Sequence, residues 1–321
     1  MIQGVTMALT TPKVRDRIWK SLAADRQIWG PVSGTDGVIR LQALSQWTAE
    51  ADGLLPLLPV KKFLLPPVDT LWEEVDGQAR SAIPGGRLAV VGLTPCDLAA
   101  VGYLDQVFAE DAGYRRRRER LFLVGAPCRA ENLCRCRPPT TPLPFDLFLQ
   151  GESVYQNSSA GASCLTAAGV AAAAGPLPDE AWPATLPPLP SDLLSRFLAS
   201  RAAPFWRETA ARCLSCGACS VLCPTCYCYA VTDQVDAAGA AVRQRRWDNC
   251  FFPNHGLVAG GHNFRPTRTE RLQFRFEHKL LGFGSLRGRS SCVDCGRCRK
   301  ACPVGIDLTR LVEQLTAGGP R

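Results

Sequence analysis

Apolar and polar positions change regime along this chain. Between residues 87 and 126, short unbroken apolar runs alternate with loops: Leu88-Ala89-Val90-Val91, then Leu121-Phe122-Leu123-Val124. Runs of that length, bounded by Arg and Gly, predict buried strands. Leu93-Thr94-Pro95-Cys96 reads as the loop after the first. Asp97 to Leu104 reads as a helix, with Asp97 where its charge favours the N-terminal dipole. Strand, loop, helix, strand is an α/β layout, and loops after such strands lie at the carboxyl edge, where open α/β sheets place ligands.

Past residue 190 the period becomes helical. Leu193, Leu194, Phe197 and Leu198 share a face, and Pro204 can open a second helix. Leu272, Phe276 and Leu280 recur at i, i+4 and i+8. Leu308, Leu311, Val312 and Leu315 form one stripe, with Asp307 as its N-cap and Gly318-Gly319 as its end. Between the regimes, Asn157-Ser158-Ser159-Ala160-Gly161-Ala162, the Ala171–Ala174 run and the prolines from Pro176 to Pro190 read as surface loop and linker. The expected organisation is an α/β domain over 1–155, an Ala/Gly/Pro-rich linker over 156–190, and an α-helical ferredoxin-like domain over 191–321. Two domains suit 321 residues at about 100–200 residues each.

Composition sharpens this. The chain is 46% hydrophobic and 21% charged, ordinary for a protein with a real core. No stretch approaches the ~18 apolar residues of a membrane span, and the N-terminus lacks the pattern of a signal peptide. A cytoplasmic location is therefore expected. There, 16 Cys point to metal ligation rather than to disulfides, since cytosolic thiols stay reduced.

Spacing carries the chemistry. Cys213, Cys216, Cys219 and Cys223 precede Pro224, and Cys292, Cys295, Cys298 and Cys302 precede Pro303. Each is a C-x2-C-x2-C-x3-C-P run, which holds a cubane iron–sulfur cluster with soft thiolate ligands. In two-cluster ferredoxins the fourth Cys of each run ligates the other cluster. Cluster A then takes Cys213, Cys216, Cys219 and Cys302, and cluster B takes Cys292, Cys295, Cys298 and Cys223. A pair of zinc sites is the rival, but zinc needs only two CxxC pairs and no third Cys or trailing Pro.

Four further thiols, Cys96, Cys128, Cys134 and Cys136, follow the predicted strands. They read either as ligands of a third cluster, cluster C, or as buried free thiols. Cys164 reads as a bystander. Residues 243–300 hold 13 Lys/Arg against four Asp/Glu. Such a stripe raises nucleic acid first, but anionic thiolate-ligated clusters also call for cations nearby. The Arg115–Arg118 run reads as a solvated helix face or docking edge. No GxGxxG follows a strand and no GxxxxGK[ST] occurs, so no dinucleotide or P-loop site is expected. His255, His262 and His278 have no catalytic partner pattern, and no catalytic residue is assigned.

With both halves in view, the chain resembles the beta subunits of cytoplasmic nickel–iron hydrogenases of the sulfhydrogenase type. The resemblance rests on Lys62-Phe63-Leu64-Leu65-Pro66-Pro67, Pro95-Cys96-Asp97-Leu98, Cys128 with Cys134-Arg135-Cys136, and Cys223-Pro224-Thr225-Cys226-Tyr227-Cys228. It continues through Arg246-Trp247-Asp248-Asn249-Cys250, Gly260-Gly261-His262-Asn263-Phe264-Arg265 and Cys302-Pro303-Val304-Gly305-Ile306-Asp307. The iron–sulfur component of anaerobic sulfite reductase belongs to the same 4Fe-4S dicluster family.

The resemblance implies a non-catalytic electron-transfer subunit. It would relay electrons through [4Fe-4S] clusters between a flavin/NAD(P)H-binding subunit and a catalytic subunit, preferably of a hydrogenase, with no nucleic acid and no membrane as partner. It also favours cluster C as a real site. One departure is Arg135 and Arg137 around Cys136, where the family tends to have an aromatic between the two Cys. Cys226, Cys228 and Cys250 read either as a further metal site completed by His255 or His262, or as thiols packed against the clusters; the second reading is taken. A nucleic-acid-binding protein with a structural iron–sulfur or zinc module is the rival of another class.

Overall fold

The computed structural model describes residues 12–80, 85–129, 136–137, 142–178, 182, 186–237 and 239–317. Ten strands are numbered in chain order: β1 (Arg26–Ser33), β2 (Ile39–Ala43), β3 (Val68–Val75), β4 (Gln78–Arg80), β5 (Arg87–Leu93), β6 (Leu121–Gly125), β7 (Leu147–Gln150), β8 (Ser153–Gln156), β9 (Tyr229–Val235) and β10 (Ala241–Trp247). The chain forms two compact units that it visits alternately. One comprises Met1–Leu64, Ile83–Asn132 and Pro138–Thr185; the other comprises Leu65–Ala82, Leu133–Arg137 and Leu186–Arg321.

The first unit is built on a six-stranded sheet in the order β2-β1-β5-β6-β7-β8. β1, β5, β6 and β7 run parallel, while β2 and β8 are antiparallel edges. The apolar runs expected to be strands are β5 and β6, and unbroken burial along β6 is what a parallel strand covered on both faces needs. Ala89, Val91, Phe122, Val124, Leu147 and Leu149 pack with Ile18 and Leu22 of the helix Pro12–Ala23 and with Leu165 of the helix Ser159–Ala168. Each such side chain contributes about 1.5–3 kcal/mol by leaving water.

The β5–β6 crossover is the helix Pro95–Val107, capped by Thr94 and burying Leu98, Val101 and Leu104. Helix Ala112–Glu119 follows it. There Tyr114 is buried with its hydroxyl donating to Asp105 at 2.7 Å, and Arg118 pairs with Asp105 at 3.2 Å.

The helix Ser159–Ala168 corrects part of the expected linker. Its Ser-Ala-Gly-Ala composition reads as loop, yet alanine costs a helix least of all residues. Ser158 caps it by accepting from Gly161 N at 2.9 Å, and Cys164, Leu165 and Ala168 are buried in the core. Cys164 is thus a packed thiol.

The second unit has a helical core. Helices Leu193–Ala199, Pro204–Arg212, Arg268–Phe276 and Leu308–Ala317 bury Leu193, Phe197, Trp206, Leu272, Phe276, Leu311 and Leu315 together. Phe197 stacks on Phe276 with centroids 5.4 Å apart, and Trp206 meets Phe276 edge-on at 5.2 Å. Asp307 caps the last helix by accepting from Thr309 N at 2.9 Å, as its position predicts.

The expected all-helical character is incomplete, because this unit also contains an antiparallel sheet in the order β4-β3-β10-β9. β9 is exposed along nearly its whole length and shows no apolar alternation to read. Ladder hydrogen bonds hold it, helped by a bidentate Arg243–Asp233 pair at 2.6 and 2.7 Å. The buried Arg245–Asp69 ion pair, at 2.8 Å, ties β10 to β3.

Candidate iron–sulfur centre

The two cysteine runs fold into conformational twins. In the first, Cys213 ends the helix Pro204–Arg212, Ser215 has φ 52°, Gly217 has φ 77°, and a short helix Ala218–Val221 carries Cys219. In the second, Asp294 has φ 51°, Gly296 has φ 73°, and a short helix Arg297–Lys300 carries Cys298. Two left-handed residues one apart fold each loop back on itself. The first of each pair is not glycine, a local cost that persists only where surrounding contacts fix the loop.

Asn249 supplies one such contact. Its Nδ2 donates to Gly217 O at 2.7 Å, and its Oδ1 accepts from Phe251 N at 3.0 Å. Backbone amides also reach the sulfurs: Ser215 N donates to Cys213 Sγ at 3.4 Å and Ile306 N to Cys302 Sγ at 3.2 Å.

The cysteines partition across the runs. Cys213, Cys216, Cys219 and Cys302 border one cavity, walled by Phe251, Leu272 and Ile306. Cys223, Cys292, Cys295 and Cys298 border a second, closed in part by the ion pairs Arg137–Asp294 and Arg299–Asp307. Arg275 borders both cavities, as does Cys298; Lys279 borders the second alone.

Electrostatics shows what the cavities need. Burial pushes the Cys219 and Cys292 thiols up, and Cys298 up to about 12. Cys226 donates to Cys223 and holds that thiol well below its ordinary range, while Cys226 itself is pushed up. A bond from Cys228 lowers Cys250 to about 5. Arg275 is buried with its charge opposed by desolvation, and the thiolates of Cys219, Cys226, Cys223 and Cys298 more than offset that. Burial, with the charges of Lys279 and Arg275, pushes His278 down to about 4; its Nε2 lies 3.1 Å from the Tyr227 hydroxyl. Eight soft sulfur donors in two sets of four, costly to ionise without a cation and lined by buried positive side chains, fit a pair of iron–sulfur clusters.

The remaining thiols fall elsewhere. Cys96 begins the helix Pro95–Val107 rather than lying in the loop before it, and is buried with its sulfur 3.1 Å from Thr94 Oγ1. Cys128 follows β6 and is half-buried. Both belong to the first unit. Cys136 is buried in the second, and Cys134 lies outside the described residues. Cys226 accepts from Arg275 at 3.5 Å, and Cys250 lies 3.8 Å from Ser220 Oγ. His255 is engaged by Asp248. Among the described residues no three His, Cys, Asp or Glu side chains converge on a single-ion site.

Sequence reasoning missed Asn249, Arg275 and Lys279 as individuals. The Arg246-to-Cys250 block contained Asn249 without a role. The basic excess over 243–300 called for cations near the clusters but could not say which side chains turn inward.

Comparison with known proteins agrees with this geometry. Residues 212–306 match the family described as a 4Fe-4S dicluster domain. The chain is 31% identical over 305 residues to sulfhydrogenase 2 subunit beta of Pyrococcus furiosus, covering 82% of this chain and 84% of the relative. No solved structure matches. No described helix is long and apolar enough to cross a membrane. The chain thus belongs to the family of sulfhydrogenase beta subunits, with its 4Fe-4S dicluster domain at residues 212–306.

Proposed function

We propose that this chain is the electron-transfer subunit of a hydrogenase-type oxidoreductase complex. In this reading Cys213, Cys216, Cys219 and Cys302 hold cluster A, and Cys223, Cys292, Cys295 and Cys298 hold cluster B. The observation that carries it is the partition of two sequence-contiguous runs into two cross-run sets of four around adjoining cavities. When bound, a [4Fe-4S] cluster supplies one-electron oxidation and reduction.

The chain's own residues do the rest. Eight thiolates fix position. Phe251, Leu272 and Ile306 exclude water from one site, Arg275 and Lys279 supply buried positive charge, and the left-handed loop residues hold the geometry without rearrangement. The partners are a flavin/NAD(P)H-binding subunit and a catalytic subunit, and the location is the cytoplasm. A third cluster on Cys96, Cys128, Cys134 and Cys136 belongs to the same reading and rests on the family resemblance.

Anaerobic isolation from cells tests this, with iron and sulfide assays and EPR of the reduced protein. About eight iron per chain is expected for two cubes and about twelve for three. A flavoprotein oxidising NAD(P)H and a subunit turning over H2 should co-isolate. Turnover of sulfite instead would move the assignment to the iron–sulfur component of an anaerobic sulfite reductase. Zinc in place of iron, or salt-sensitive nucleic acid binding with no reducible centre, would refute the reading.

A further inference from the structure

The helix Arg268–Phe276 starts at a capping box, in which Thr267 Oγ1 accepts from Glu270 N and Glu270 reaches back to Thr267 N. Leu272 and Phe276 anchor it in the core. After Phe276 the backbone widens into a π-type turn over Glu277–Leu281. One continuous stretch thereby delivers two cations inward, Arg275 and Lys279, with 3% and 2% of their surfaces exposed.

Arg275 donates to Cys219 O at 2.8 Å, Ser220 Oγ at 3.0 Å and Cys226 Sγ at 3.5 Å. Among the described residues it has no carboxylate partner. Lys279 donates to Thr225 O and Thr225 Oγ1, both at 3.1 Å, and Thr225 Oγ1 lies 3.4 Å from Cys223 Sγ. A buried guanidinium without a carboxylate is expensive unless another anion stands against it. The anions at hand are cysteine thiolates.

We propose that Arg275 and Lys279 are positioning residues that set the reduction potentials of the two centres. Arg275 acts on both, and Lys279 acts on the set of Cys223, Cys292, Cys295 and Cys298 alone. The inference rests on the iron–sulfur reading above. Adding an electron to a thiolate-ligated cluster makes it more anionic, so a fixed positive charge at the cavity wall favours the reduced form and raises the potential. Sharing follows from position, since Arg275 borders both cavities and Lys279 only one.

The test is an EPR-monitored redox titration of the iron-loaded full chain. Cys216→Ser, which alters one signal, assigns the two centres. Arg275→Gln should disfavour reduction of both at least tenfold, a shift of about 59 mV for a one-electron couple. Lys279→Gln should do so at one centre and leave the other within about threefold, or about 28 mV. Arg275→Lys, which keeps the charge, should hold both within that same margin.

Unshifted potentials in an iron-replete Arg275→Gln would overturn the proposal. So would equal shifts at both centres in Lys279→Gln, or Arg275→Lys behaving like Arg275→Gln. If Arg275→Gln does not load iron, the Lys279→Gln asymmetry and the Arg275→Lys result decide the matter. A wild-type chain without iron would instead remove the functional reading on which the proposal stands.

Discussion

Asn249 and Gly217 are matched parts. The Asn249 amide donates to the Gly217 carbonyl at 2.7 Å, and a Cβ built on Gly217 would meet that same amide nitrogen at 2.3 Å. The position is doubly closed to other residues, since its φ of 77° is itself unfavourable to a side chain. Gly217→Ala should therefore cost about 1–3 kcal/mol and loosen the loop carrying Cys216 and Cys219. Asn249→Ala should give a similar loss, because it leaves a buried carbonyl unmet. Thermal unfolding under anaerobic conditions, with iron per chain, checks both; an unchanged melting temperature in Gly217→Ala contradicts this account of the loop.

Ligation across the runs makes a sharper prediction. Cys302→Ser should perturb the centre formed by Cys213, Cys216 and Cys219, and Cys223→Ser the centre formed by Cys292, Cys295 and Cys298. Mössbauer or EPR spectra of the two variants should change in complementary halves. If Cys302→Ser altered only the signal assigned to its own run, each run would hold its own cluster.

His278 gives the fold a dependence on acid. Its pKa is lowered to about 4 from an ordinary 6.5, first by burial and then by Lys279 and Arg275. Above pH 6.5 the ring is neutral in both folded and unfolded chains. Between about 6.5 and 4 the unfolded chain gains a proton that the folded chain refuses, so stability falls as pH falls through that window, by up to roughly 3 kcal/mol. Urea unfolding at pH 7.5 and pH 5 should show the loss in wild type and a smaller one in His278→Gln. An identical pH dependence in both would rule out His278 as its source.

The Arg245–Asp69 pair is buried on both sides, at 2.8 Å, and the guanidinium also lies over the Tyr229 ring at 5.2 Å. Asp69→Ala strips the charge partner from a buried cation and should destabilise by about 3–5 kcal/mol. The double change Asp69→Leu with Arg245→Met should lose much less, since neither charge is then left buried. Denaturant midpoints of the two variants, compared with wild type, measure the difference.

What could be read in the sequence was whatever leaves a local trace. Apolar runs gave β5 and β6, and the spacing of Leu308, Leu311, Val312 and Leu315 gave the last helix with Asp307 as its cap. The C-x2-C-x2-C-x3-C-P runs named eight cysteines that now border two cavities. The sheet joining β3 to β10 left no such trace, because its partners lie more than 150 residues apart in the chain and β9 is solvated on both faces. Helix Ser159–Ala168 was hidden by a composition shared with loops. Arg275 and Lys279 look in sequence like any two residues of a basic segment, and only packing of the Leu272–Phe276 face turns them inward.

Cys216 is the single exposed cysteine among those described, while its three companions around that cavity are buried or half-buried. With the iron–sulfur centre in place, one corner of one cube would stand at the solvent boundary. Oxygen, peroxide and chelators arrive from that side. Deterioration in air would then begin at this corner, with loss of a single iron, and the second centre would outlast the first. The opening that lets a small oxidant in is also the shortest way for an electron to leave, so sensitivity to air and accessibility to a redox partner would be two effects of one exposed sulfur.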